Sequence, residues 1–156
     1  MRTPHVKIKY PTSTQLEFWH LKRIQQSGRD IAKHKKISEQ AVSKTLKEAN
    51  ARIRALIENS ASMNKIKLEL INEELGVARG YSCVFKVKVY ITYSPHNGVQ
   101  VWYDHQGACE ECEEFMECRR RLLLEFKERN IVITRPTLRP TELAKLLFQK
   151  IEEKLK

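Results

Sequence analysis

The chain of 156 residues holds only five glycines, five prolines and four cysteines. That scarcity excludes a collagen-like or low-complexity chain and leaves long stretches free for regular elements. No apolar run reaches the roughly 20 residues needed to cross a bilayer, so no membrane partner is expected. The opening stretch MRTPHVKIKY lacks an apolar signal-peptide core, which points to a cytoplasmic protein. In that compartment cysteines are expected to be free, metal-bound or catalytic rather than disulfide-linked. Several reaction chemistries lack their signatures. There is no Gly-rich phosphate loop, no paired-acid motif, no Ser-centred elbow and no Asp/Glu cluster suited to magnesium. An enzyme is therefore not the expectation.

Negative charge is scarce in one part of the chain. Residues 1–67 carry fifteen Lys and Arg against five Asp and Glu, whereas residues 68–156 carry fourteen of each. The whole net charge of +10 sits on the first part. A polyanion suits such one-sided charge, because neutralised phosphates release counterions. A membrane surface suits it less, since no apolar face with aromatic anchors lies opposite the basic residues.

Within that basic part, residues 28–47 (GRDIAKHKKISEQAVSKTLK) read as two short helices crossing at a turn. Ile31, Ala32 and Val42 fall where the crossing needs a core, and Ile37 is expected to fill the turn. Ser38 can accept a backbone N–H bond and start the second helix. That helix then presents Glu39, Gln40, Ser43, Lys44 and Lys47. Such side chains reach base edges and phosphates in a major groove. Ahead of the pair, Thr12 or Ser13 caps a helix running to about Gln26, with Leu16, Phe18 or Trp19, and Ile24 inward and Gly28 as the stop.

The stretch Thr12 to Leu56 resembles the trihelical DNA-binding domains of sigma region 4, LuxR-type and archaeal Tfx-type regulators. Two positions depart from the pattern: Lys36 stands where Gly is usual, and Lys35 where an apolar residue is usual. Without Gly a left-handed turn costs more, so a different turn or an early end to the first helix is expected. The resemblance implies a helix-turn-helix transcription regulator on double-stranded DNA, archaeal in type. Arg29, Lys33, Lys35 and Lys36 would meet phosphate; Gln40, Ser43, Lys44 and Lys47, on the helix begun by Ser38, would read bases or adjoining phosphates.

Val42, Leu46, Ala49, Ile53 and Leu56 continue the helical spacing, so one helix is expected from about Ser38 to about Asn59. Its second half serves either a two-stranded seam in a homodimer or packing on a following β layer. Residues 59–64 read as a polar linker, dividing a DNA-binding domain (1–60) from an α+β domain (64–156). The fold class expected is α+β: a helical start, a small antiparallel sheet and C-terminal helices. IKLELIN alternates as a strand, Glu73 to Gly76 reads as a turn, and residues 77–82 and Val84–Tyr93 follow as strands. Pro95-His96-Asn97-Gly98 is a hairpin signal leading into Val99–Tyr103. Helices are expected from about Glu113 to Arg129 and from Thr141 onward, the last with Leu143, Leu146, Leu147, Ile151 and Leu155 on one stripe. Between them, Ile131-Val132-Ile133 is a short strand or extended segment, and Pro136 and Pro140 bound a rigid connector.

The cysteines cluster as H-x3-C-x2-C-x5-C at His105, Cys109, Cys112 and Cys118. A tight turn brings two thiolates separated by two residues together, and Cys118 on the next helix adds a third. His105 or, alternatively, Cys83 closes a tetrahedral zinc site with Zn–S near ~2.3 Å. The C-x2-C-x5-C spacing also resembles three of the ligands of a [4Fe-4S] cluster in oxygen-sensing regulators, endonuclease-III-like glycosylases and some archaeal nucleases; Cys83 would be the fourth. Zinc is preferred, and free thiols remain possible because five glutamates crowd the cluster. Trp102 and Tyr103 read as sheet packing or as a platform for a nucleobase. Two other functions stay open: an iron–sulfur-containing nucleic-acid-processing enzyme or accessory subunit, and a chromatin-type binder without sequence preference.

Overall fold

The computed structural model describes residues 8–135 and 137–156. The expected basic arm or edge strand at residues 1–11 falls mostly outside them, as does Pro136; residues 8–12 carry no strand. The fold is α+β: among the described residues, five helices and a four-stranded antiparallel sheet. Helices α1 (Ser13–Arg23), α2 (Gly28–Lys35) and α3 (Glu39–Met63) come first. Strands β1 (Ile66–Asn72), β2 (Val77–Ser82), β3 (Lys88–Ser94) and β4 (Gly98–Tyr103) follow as a meander in the order β1-β2-β3-β4. A short 3-10 turn (Cys109–Glu111), α4 (Phe115–Glu128) and α5 (Pro140–Leu155) complete the chain.

The helix starts follow local chemistry. Thr12 accepts from the Gln15 N–H while the Gln15 side chain accepts from Thr12, a reciprocal cap. Ser27 and Ser38 cap α2 and α3 through Asp30 and Ala41. Gly28 therefore begins a helix rather than ending one. The stop for α1 is Gln25, which takes a left-handed φ of 74° just after Ile24. Helix α3 runs to Met63, so the expected linker at 59–64 is mostly helical.

The sheet lies between two helical layers. On one face, Ala49, Ile53, Leu56, Ile57 and Ala61 of α3 pack with Trp19 against Ile66, Ala78, Val89, Ile91 and Tyr93. Of the two arrangements open to it, the apolar stripe of α3 thus takes the second: it packs on the β layer and on Trp19 of α1. On the other face, Leu122, Phe126, Leu143, Leu147 and Ile151 of α4 and α5 pack with Val77 and Tyr90. A third, smaller core of Phe18, Ile31, Ala32 and Val42 joins α1, α2 and the start of α3.

One turn departs from expectation. Strand β3 begins at Lys88 because residues 83–87 form a turn with Lys86 left-handed at φ 58°. Val84 and Phe85 are exposed there, although Phe85 still meets the Tyr103 ring edge-on at 5.0 Å. Of the two readings of Ile131 to Ile133, the strand is absent, and Val132 is exposed. The turn at Gly76 is as expected and has a packing reason. A Cβ at this φ of +61° would lie 2.8 Å from the Trp19 ring. Trp19 in turn donates its ring N–H to the Glu73 carbonyl at 3.0 Å.

Candidate functional site

The turn between α2 and α3 is made by Lys36 in a left-handed conformation (φ 55°, ψ 45°). The backbone shape usually given to Gly is therefore kept with a lysine in it, and α2 runs its full length to Lys35. Ile31, Ala32 and Val42 are buried as expected, but Ile37 is 41% exposed and does not fill the turn. The Ile37 N–H instead closes α2 by bonding the Ala32 carbonyl.

On α3, Gln40, Ser43, Lys44 and Lys47 are spaced i, i+3, i+4 and i+7, which puts them on one helical stripe. All four are exposed, while Val42, Ala49 and Ile53 are buried on the opposite side. Of the other basic residues, Arg29 pairs with Glu39 at 3.4 Å and Lys35 pairs with Glu17. Their charge is partly neutralised. Lys33, Lys36, Lys44 and Lys47 make no ion pair among the described residues. The Ser38 hydroxyl is occupied by its cap to Ala41 N–H at 3.1 Å.

A second feature lies between the sheet and the C-terminal helices. Helices α4 and α5 leave a cavity of about 800 Å³ over β3 and β4. His105, Cys109, Cys112 and Cys118 all line it. Cys109 is buried, Cys112 exposed and Cys118 half-buried. The Cys112 N–H bonds the Cys109 carbonyl at 3.2 Å, so the two cysteines share one tight turn ahead of α4. Burial pushes the Cys118 thiol up, and the neighbouring Cys109 and Cys112 add to that rise. His105 donates its Nδ1 proton to the Tyr103 carbonyl at 2.9 Å, which leaves Nε2 as the free acceptor. Cys83 sits on the exposed β2–β3 turn and does not line the cavity. The expected donors thus share one wall without converging: among the described residues no three His, Cys, Asp or Glu side chains form a group able to hold a metal ion.

A buried ionic network lies beside these features and is not expected from motifs. Glu125 is fully buried in α4 and accepts from Ser94, Asn97 and Arg129 at 3.0, 2.9 and 3.0 Å. Arg129 also donates to the carbonyls of Leu75, Gly76 and Tyr93. Arg23, at the end of α1, stacks over Trp19 and donates to the Glu128 carbonyl at 2.8 Å. Burial, and then the nearby Arg129 charge, lowers the Arg23 pKa to about 10. Helix α1 is thereby tied to the far end of the same helix whose start carries Cys118. The one sequence signal is spacing: Glu125 and Arg129 fall on the stripe of Leu122 and Phe126.

No helix among the described residues is long and apolar enough to cross a membrane. Comparison with protein families, with characterised proteins and with solved structures gives no match.

Proposed function

We propose that the chain is a helix-turn-helix DNA-binding regulator whose recognition helix is the start of α3. One observation carries this reading. The side of α3 opposite its core stripe presents Gln40, Ser43, Lys44 and Lys47 in a row, at the end of the chain that holds the entire net positive charge. Amides and ammonium groups so placed supply base-edge and phosphate contacts in a major groove. Lys33 and Lys36 flank the row and are free to meet phosphates. Arg29 and Lys35 contribute less, because Glu39 and Glu17 already hold them. The Ser38 hydroxyl fixes the helix start instead of reading a base.

The test is binding to double-stranded DNA as a function of salt. Four to six phosphate contacts give a slope of log K against log salt of about −4 to −5. Lys44→Ala and Lys47→Ala should each flatten that slope by about one contact. A slope near zero, or one untouched by both substitutions, contradicts the reading. A chromatin-type binder would show the same slope without sequence preference. An iron–sulfur enzyme gains nothing from the geometry, since Cys83 is exposed and does not line the cavity that the other three cysteines share.

Zinc at His105, Cys109, Cys112 and Cys118 is a second reading of the C-terminal half. It is favoured by the His105 Nδ1–H bond to a carbonyl, the arrangement that presents Nε2 to a metal. Closing the site requires the thiols to move together. Metal analysis of protein purified without chelator tests it: stoichiometric zinc, lost in Cys112→Ser, supports the reading, and metal-free protein of unchanged melting temperature refutes it.

A further inference from the structure

We propose that the cavity between β3–β4 and α4–α5 binds a planar aromatic small molecule carrying one carboxylate. At about 800 Å³ it has the size of a drug-sized ligand site. One wall is aromatic. Tyr90 and Phe148 stack with ring centroids 4.1 Å apart and planes 5° apart, and Trp102 meets Phe148 edge-on at 6.2 Å. The polar tips of this wall are already satisfied. Trp102 donates to Thr92 at 2.8 Å, and the Tyr90 hydroxyl donates to Glu152 at 2.7 Å. Glu152 is also clasped by Arg79 at 2.9 Å. The rings are thus held in place with no polar group calling for water, which lowers the cost of ordering a site around an apolar ring.

Helix α5, which also carries Phe148, supplies the polar contact. Thr141, Lys145 and Gln149 line the cavity at successive i+4 positions of α5. Lys145 makes no ion pair among the described residues. The other charges on the cavity wall are of both signs. Arg121 is held by Glu117 and Glu152 by Arg79, the Lys88 ammonium lies over the Tyr90 ring at 4.9 Å, and Asp104 and Glu114 are in no ion pair among the described residues. Lys145 is the ammonium of the wall with neither an ion pair nor a ring to lie over among the described residues, and it suits one carboxylate. A phosphate or other dianion would meet about twice the repulsion from Asp104 and Glu114 that a single carboxylate meets.

The experiment uses the full chain without DNA, so its failure leaves the DNA-binding reading untouched. 2-Naphthoate and the neutral 2-naphthylmethanol are titrated by calorimetry and by quenching of tryptophan fluorescence, with Trp102→Phe as the control for which indole reports. The expected result is saturable one-site binding, with naphthoate at least about tenfold tighter than the alcohol, equivalent to about 1.4 kcal/mol. Ala144→Trp, which projects an indole into the cavity, should weaken both probes. Lys145→Glu should weaken naphthoate by about tenfold or more and leave the alcohol within about twofold. No saturable binding, equal affinity for the two probes, or naphthoate affinity unmoved by Lys145→Glu would each overturn the proposal. Lys145 is exposed, so its substitution keeps the test decisive even if Ala144→Trp unfolds the chain.

Discussion

Replacing Arg129 with Met removes the cation of the buried network and keeps most of its stem. In the folded protein the side chains of Arg129 and Glu125 are 4% and 0% exposed. The substitution leaves the Glu125 carboxylate buried with Ser94 and Asn97 as its remaining side-chain donors among the described residues. Breaking one partner from a buried pair costs about 3–5 kcal/mol. The Leu75 and Tyr93 carbonyls also lose a donor, whereas Gly76 keeps the Tyr93 N–H at 2.8 Å. A total of about 4 kcal/mol is a large share of the ~5–15 kcal/mol that holds a domain folded. At roughly 2–4 °C per kcal/mol for a chain of this size, the melting temperature should fall by about 8–16 °C. Urea unfolding followed by circular dichroism reads the loss as a lower midpoint at unchanged slope. The double variant Glu125→Gln with Arg129→Met should recover about 2 kcal/mol, because a neutral amide oxygen still accepts from Ser94 and Asn97 without a stranded charge. A loss below about 1 kcal/mol for Arg129→Met, or no recovery in the double variant, would refute the reasoning.

Three further outcomes are expected. Lys36→Gly should stabilise the chain by about 0.5–1 kcal/mol in urea unfolding, since it relieves a left-handed lysine; a loss would mean the turn is not strained. The Glu152 carboxyl is held below its ordinary range, first by the Tyr90 hydroxyl and then by Arg79. A depressed carboxylate contributes stability above its unfolded pKa and loses it as pH falls through the folded value. The stability gap between wild type and Glu152→Gln, present at about pH 6, should therefore close under acid; a gap independent of pH contradicts the assignment. Gly76→Ala should cost about 1–3 kcal/mol and perturb Trp19 fluorescence, because a methyl group there meets the indole at an unfavourable φ.

Elements with a strong local signal are legible in the sequence. The Thr12 and Ser38 caps, the alternation of Ile66–Asn72, the Gly76 turn and the Asn97-Gly98 hairpin all depend on neighbours within a few residues. So does the burial of Ile31, Ala32 and Val42, which helical spacing alone dictates. Other features depend on what the rest of the chain does. Whether the α3 stripe meets a second copy or a sheet is decided by Val89, Ile91 and Tyr93, which lie far along the chain. Gln25 and Lys36 adopt left-handed backbone without being Gly, so propensity alone misplaces the first stop and leaves the second turn open. In the candidate sites, the exposed row on α3 is readable because it is one helical face. The cavity is not, since Tyr90, Trp102 and Phe148 come from three elements that only the fold assembles. Cys83 shares composition with the other cysteines but not location, and spacing cannot separate the two.

The central claim is that α3 reads DNA sequence. Duplexes selected from a random pool by the wild-type chain give its preferred site, and affinity is then compared between that site and a shuffled copy at one salt concentration. The selected site should bind at least about 10³-fold tighter. Gln40→Ala should lose about 1–3 kcal/mol on the selected duplex and almost nothing on the shuffled one. Equal affinity for the two duplexes, or an equal loss on both, would contradict it.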